Sequence, residues 1–293
     1  VSGRQLGRSC RRVAEEDSQM DETLELGWVS ALLVEADPIA LNLFRTTIQV
    51  DDKGIQADDN GRPIGYDPVT AADRGIEALL RARITERFPE HEIVGEETGT
   101  SGPAGRYRWL IDPIDGTKAF VTGSPLWGIL LGLLDNGRPI AGWMRQPYIG
   151  ETFSAVDRDA WVERGGERRR LATRRGVDLD QAAMYTTFPG MFTTDDDRAA
   201  FARLTDAVQL ARFGGDCYAY CQLAMGQIDL VVEASLQPYD IVALIPIVEA
   251  AGGVVTGRHG ESAADGGFVV AAASAEIHAQ ALSVINATTE DAR

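Results

Sequence analysis

Trp109-Leu-Ile-Asp112-Pro-Ile-Asp115-Gly-Thr117 is the stretch that decides how this chain is read. Its first three residues form a short apolar run of the kind that makes a buried strand. Two carboxylates three residues apart follow immediately. Pro113 works against a regular helix through Asp112, because the residue before a proline is pushed out of the helical region. Gly116 lets the backbone approach a ligand closely. A helix beginning at about Gly116 would aim its free N–H groups at whatever the two aspartates hold. Carboxylates and a helix N-terminus belong together only if cations lie between the carboxylates and a bound anion. Hard oxygen ligands suit Mg2+, which is usually held by a few carboxylates plus substrate phosphate. The stretch therefore reads as a metal-bridged phosphate site. The plainer alternative is an aspartate N-cap on an Asp-Gly turn.

Two acidic pieces lie upstream. Val94-Gly95-Glu96-Glu97-Thr98-Gly99 ends a short strand with paired glutamates in a Gly-flanked loop, and alone it reads as a solvated acidic turn. Asp67-Pro-Val-Thr70-Ala-Ala-Asp73 opens a helix, with the Thr/Asp spacing of a capping box.

Further out, Leu24, Trp28, Leu32, Ile39 and Leu43 recur at helical spacing between Glu22 and about Val50. Residues 51–67 read as loop or hairpin, and Ile76, Leu79, Leu80 and Ile84 predict a helix from Thr70 to before Pro89. Apolar runs at 92–94, 109–111, 127–134, 140–144 and 152–156, separated by turn residues, predict strands. Helices are expected over 199–208, 216–225 and 239–251 and from Ala275, with strands at 229–233, 253–256 and 268–272. Helices followed by consecutive strands, then helix–strand alternation, indicate layered α+β in the first part and α/β in the second. No Pro- or Ser-rich linker divides them. Residues 20–293 are expected to form one domain of two tightly packed halves, about 20–157 and 158–293. Val1–Gln19 is polar and Arg-rich. It reads as a disordered arm or, preferably, as sequence upstream of a start at Met20, and is set aside.

Composition narrows the function. With 44 Asp+Glu against 28 Lys+Arg in 293 residues, the net charge of −16 disfavours nucleic acid as a partner. The longest apolar run, Pro125 to Leu134, is about half a bilayer span, so no membrane crossing is expected. Cys10, Cys217 and Cys221 do not make a disulfide framework, and a reducing cytoplasm is expected. His91, His259 and His278 are too scattered for a zinc site. A metal, if used, must be held by carboxylates.

DPVTAAD, GEE, WLIDPIDGT and the later GGDCYAY…PYD with AGG following are, in this order, similar to the motifs of the inositol monophosphatase superfamily. The resemblance runs from about Met20 to the C-terminus. It implies an αβαβα layered sandwich and a Mg2+-dependent, Li+-sensitive phosphomonoesterase. DPIDGTKAFVTGSPLWG and GDCYAYCQLAMGQIDLVVEASLQPYD look most like the bacterial-type histidinol-phosphatases, which release phosphate from L-histidinol phosphate in histidine synthesis.

Carried over by position, the resemblance implies that Glu96, Asp112 and the Ile114 carbonyl bind one Mg2+. Asp112, Asp115 and Asp240 bind a second, and a third weaker ion leans on Glu96. Asp73 and Thr117 would orient and deprotonate the attacking water, and Gly116 and Thr117 would offer backbone N–H groups to phosphate. Two departures stand out. Tyr239 replaces the usual Trp before Asp240, with the ligand kept. An acid, Asp216, stands after Gly215 where the inositol enzymes carry small or hydroxyl residues.

Asp216 and Glu233, with Gly215, fall on the leaving-group side, and two acids there favour a cationic alcohol such as histidinol over neutral inositol. Against this, Asp216 could only cap its helix, and Glu233 could emerge into solvent. Inositol phosphate as substrate and a non-catalytic regulatory relative are carried as alternatives, and a homodimer is left open. Cys217 and Cys221, Trp127 and Trp143 read as core. His259 reads as exposed. Arg164, Arg168, Arg169, Arg170, Arg174 and Arg175 read as a solvated hairpin edge.

Overall fold

The structure, a computed structural model, describes residues 26–52, 56–57, 63–64 and 68–287. Val1–Gln19 and Met20 lie outside these residues. Helices α1 (Leu26–Leu41) and α2 (Ala71–Arg87) open the fold. Eight strands follow: β1 (Glu92–Gly95), β2 (Gly99–Ser101), β3 (Tyr107–Asp115), β4 (Gly128–Asp135), β5 (Arg138–Gln146), β6 (Glu151–Val156), β7 (Asp159–Arg164) and β8 (Glu167–Arg170). Helix α3 (Thr117–Thr122) lies between β3 and β4. These strands form one sheet in the order β8-β7-β6-β5-β4-β3-β1-β2, antiparallel except where β1 runs parallel to β3.

The rest of the chain supplies β9 (Ala183–Thr186), α4 (Asp195–Ala207), β10 (Leu210–Phe213), α5 (Asp216–Ala224), β11 (Leu230–Leu236), α6 (Pro238–Ile241), α7 (Leu244–Ala250), β12 (Val254–Gly257), β13 (Gly267–Ala272) and α8 (Ala275–Ile285). Its strands form a second mixed sheet in the order β10-β9-β11-β13-β12. The first sheet thus runs on to Arg170 and the second starts at Ala183, so the division expected near residue 157 falls, by sheet, between 170 and 183.

Three apolar cores hold five layers together, the middle one packing both faces of the central helical layer. Val29, Leu33, Ile76 and Leu80 of α1 and α2 pack on Trp109, Ile111 and Trp143. Leu110, Leu130 and Phe153 face the other way, onto Tyr220, Ile241 and Ile247 of α5–α7. On the far face of the second sheet, Leu204 of α4 and Ile277 of α8 cover Val232 and Val270. Trp109 and Ile111 therefore point to one layer and Leu110 to the next, as a strand's period of two requires. Covering both faces explains why β4 reads as an unbroken apolar run. The layered αβαβα sandwich is the architecture expected from the motifs.

Local departures have physical causes. The first helix ends at Leu41 rather than near Val50. The helix expected over 239–251 is two short helices, because Pro246 has no N–H to give Val242 and its ring crowds that turn. The broken segment lies flush on the first sheet. Gly132 and Gly142 face each other across β4 and β5, and a β-carbon at Gly132 would fall 2.7 Å from Val242 Cγ1. That close approach brings α6, and Asp240 with it, to the end of β3.

Candidate active site

The ladder between β3 and β4 is regular as far as Asp112 and slips between Asp112 and Asp115. Asp112 makes the bend itself, its Oδ1 accepting the Ile114 N–H at 3.0 Å. Gly116 then turns the chain with φ 82° and ψ 40°, a left-handed conformation that favours glycine, and α3 starts at Thr117. The two carboxylates thus belong to the strand's irregular end rather than following it.

Asp112 and Asp115 meet Asp240 of α6, and one carboxylate oxygen from each lies within 4.8 Å of the others. Asp240 is steadied by the Gln237 N–H, which donates to its Oδ2 at 2.8 Å. Among the described residues no Lys or Arg forms an ion pair with these three. Burial, and then the neighbouring carboxylates Glu96, Asp115 and Asp240, hold the Asp112 carboxyl well above its usual range. Burial and then Asp216 push Asp115 up to about 8. Asp240 is raised by burial and by Asp115. Crowded, buried carboxylates without a protein cation are a donor set suited to a hard metal ion. Glu96 joins the group electrostatically, and its backbone N–H is tied to the Ile111 carbonyl at 3.1 Å.

Asp73 is a capping residue and more. Its Oδ2 accepts the Thr70 N–H at 2.8 Å and the Thr70 hydroxyl at 2.6 Å, so the capping box read from sequence is present. Its Oδ1 is buried with no hydrogen-bond partner among the described residues. Burial raises the carboxyl's pKa, the Thr70 bonds lower it, and Glu96 raises it further. The Thr117 hydroxyl donates to the Ile114 carbonyl at 3.0 Å. No hydrogen bond joins Asp73 directly to Thr117 among those the described residues make.

Asp216 does not cap its helix. Gly215 is the N-cap of α5, and the Cys217 N–H is taken by Asp115 Oδ2 at 2.7 Å. Asp216, at φ 43°, instead lies over Gly116, where a β-carbon would come 3.1 Å from both its Cβ and its Cγ. Burial and Glu233 push its carboxyl up to about 7, with Lys118 pulling the other way. Glu233 does not emerge into solvent. It is 3% exposed, Oε1 accepts the Thr187 N–H at 3.0 Å, and Oε2 accepts the Tyr220 hydroxyl at 2.9 Å. Gly215 is close-packed, and a β-carbon there would fall 2.8 Å from the Tyr185 ring.

The inositol monophosphatase family model matches residues 28–291. The chain belongs to the inositol monophosphatase family. It is 37% identical to the bifunctional phosphatase IMPL2, chloroplastic, of Arabidopsis thaliana over 91% of this chain and 75% of that one. It is 34% identical to a histidinol-phosphatase of Mycobacterium tuberculosis over 75% of this chain and 85% of that one. Among solved structures, an inositol monophosphatase from Zymomonas mobilis superposes with a TM-score of 0.76 at 34% identity, covering 88% of this chain and 96% of that one. The protein is thus a phosphatase of the inositol monophosphatase family. No described helix is long and apolar enough to cross a membrane.

Other sequence readings resolve around this family scaffold. Cys217, Cys221, Trp127 and Trp143 are buried in the core, the two cysteines are free thiols, and His259 is exposed. β8, with Arg168, Arg169 and Arg170, is the exposed edge of the first sheet. Arg174 departs from that cluster and pairs with Asp229, whose side chain is fully buried. Sequence reasoning missed Thr187, Tyr220 and Lys118 around the two acids. Their only signal would have been proximity between elements far apart in the chain.

Proposed function

We propose that this phosphatase is Mg2+-dependent and hydrolyses L-histidinol phosphate to L-histidinol and phosphate, in histidine synthesis in a reducing cytoplasm. The observation that carries the substrate reading is Asp216 lying over Gly116, because it sets an acid beside the turn assigned to phosphate. The relatives named histidinol-phosphatase support the same reading.

Glu96, Asp112, Asp115, Asp240 and the Ile114 carbonyl hold the metal. Mg2+ bound there supplies Lewis-acid charge and lowers the pKa of a bound water. The chain's own residues do the rest. The Thr117 hydroxyl and the free Oδ1 of Asp73 orient the attacking water, and Asp73 accepts its proton. Main-chain N–H groups of Gly116 and Thr117 hold the phosphate. On the leaving-group side, Asp216 pairs with the ammonium or imidazolium of histidinol, and Gly215, packed against Tyr185, sets where Asp216 leaves the backbone. Glu233, with both oxygens already accepting protein hydrogen bonds, acts there through its charge.

The test is phosphate release from L-histidinol phosphate, inositol 1-phosphate, a sugar phosphate and a nucleotide bisphosphate, each with Mg2+ and with a chelator. Mg2+-dependent release fastest from histidinol phosphate is expected. Preference for inositol phosphate would sink the substrate reading alone. No release from any ester would turn the reading toward a non-catalytic relative.

A further inference from the structure

Glu77 sits on α2, one turn beyond Asp73, with no exposed surface. Both of its oxygens are directed at the loop that carries Glu96. Oε2 accepts the Glu97 N–H at 2.8 Å, and Oε1 accepts the Thr98 N–H at 3.1 Å together with the Thr98 hydroxyl. Arg81, a turn further on, donates Nε to Glu77 Oε1 at 2.8 Å. Its Nη1 then reaches Ser101 Oγ at 2.6 Å and its Nη2 the Gly99 carbonyl. One ion pair, its Glu77 end fully buried, therefore grips the turn after β1 and the strand β2 that follows it.

Gly95 makes the space. A β-carbon there would lie 2.5 Å from Glu77 Cδ and 2.7 Å from Arg81 Nη2. On its other side the Glu96 N–H is held by the Ile111 carbonyl, in a parallel ladder that pairs Gly95 with Ile111. Glu96 is thus level with Asp112, and its backbone is fixed by one sheet contact and, one residue on, by Glu77. Buried ion pairs add little net stability, because desolvation offsets their attraction. What this pair supplies is direction.

We propose that Glu77, braced by Arg81, is a positioning residue that holds the Glu96 carboxylate against Asp112 and so sets the site's affinity for its divalent ion. The inference rests on reading Glu96 as a metal ligand. Partners that orient metal ligands from behind typically contribute about 10–100-fold in affinity.

The experiment is calorimetric titration of the full chain with Mg2+, with amide exchange at Glu97 and Thr98 followed in the metal-free protein. Glu77→Gln keeps the volume but loses the charge and one acceptor oxygen. It should weaken Mg2+ binding by about 10–100-fold, speed exchange at both amides, and leave kcat at saturating Mg2+ unchanged. Arg83→Gln is the control. Arg83 lies on the same helix but pairs with Glu35 on the surface, and its loss should leave Mg2+ binding alone. Should Glu77→Gln fold poorly, Gly95→Ala displaces the same carboxylate and should weaken binding likewise. A variant that melts earlier yet binds Mg2+ as tightly as wild type overturns the inference, leaving Glu77 purely structural. A wild type that binds no Mg2+ overturns the metal reading, and this inference with it.

Discussion

Asp115 Oδ2 accepts the backbone N–H of Cys217 at 2.7 Å, and that one bond joins the end of the first sheet's β3 to the start of α5. Asp115 is thereby both a member of the carboxylate cluster and the cap of the helix that presents Asp216. Holding the metal side and the leaving-group side by one residue fixes their separation. It also means that Asp115 substitutions will disturb both, so they are poor probes of either.

Asp112→Asn is the cleaner probe of metal binding. Asp112 is 2% exposed, and burial and then the charges of Glu96, Asp115 and Asp240 disfavour its ionised form. Activity should fall by more than about 100-fold, beyond what loss of an outer partner costs. The melting temperature of the metal-free protein should hold or rise as the repulsion is relieved. Phosphate-release assays in saturating Mg2+ and a thermal melt in chelator check the two halves. Turnover within about tenfold of wild type would remove Asp112 from the metal site.

Thr117→Ala should lower kcat by about 10²–10⁴-fold with little change in KM or Mg2+ affinity. The hydroxyl leans on the Ile114 carbonyl, while the phosphate contact assigned to position 117 is main chain and survives the change. A raised KM with kcat unchanged would show that the hydroxyl does not serve the attacking water.

Stability should fall on mild acidification through His91. Its Nδ1 accepts the indole N–H of buried Trp109 at 3.0 Å, and its ring stacks on Phe88 at 4.8 Å. Burial lowers its pKa from 6.5, so the folded state resists a proton that the unfolded chain accepts. The associated stability is full above about pH 6.5 and is lost as the pH falls through the depressed folded value. Melts at pH 7.5 and 5.5 in saturating Mg2+ should show a larger drop for wild type than for His91→Gln, which keeps an acceptor for Trp109 but cannot titrate. Equal drops would show that His91 does not drive the change.

What the sequence revealed, and what it hid, follows from how local each feature is. The Asp112–Thr117 bend and the Thr70–Asp73 capping box are made within a few residues, so composition and spacing expose them. The strands β1 and β3 to β6 of the first sheet stood out because they are largely buried, whereas the exposed β2 and β8 carry no apolar run. β9 and β10 are four residues each and partly exposed, which leaves them little pattern to read. Asp216 could be read either as a leaving-group acid or as a cap, because helix starts favour aspartate. Its real neighbours, Gly116 and Asp115, come from another sheet. Glu77 carries no local signal of its role in the sequence. Only the packing of α2 against the β1–β2 turn shows what it holds.

The central claim, a metal-held phosphate with an acid selecting a cationic leaving group, is tested most directly by one ratio. That ratio is kcat/KM for L-histidinol phosphate over kcat/KM for inositol 1-phosphate, measured on wild type and on Asp216→Asn in the same Mg2+ buffer. A desolvated charged hydrogen bond is worth about 1.5–3 kcal/mol, or about 10–100-fold. Asp216 makes no capping bond, so the substitution should spare α5. The ratio is expected to stand well above one in wild type and to drop by about 10–100-fold in the variant, almost wholly through histidinol phosphate. A ratio below one in wild type, or the same ratio in both proteins, would contradict the central claim.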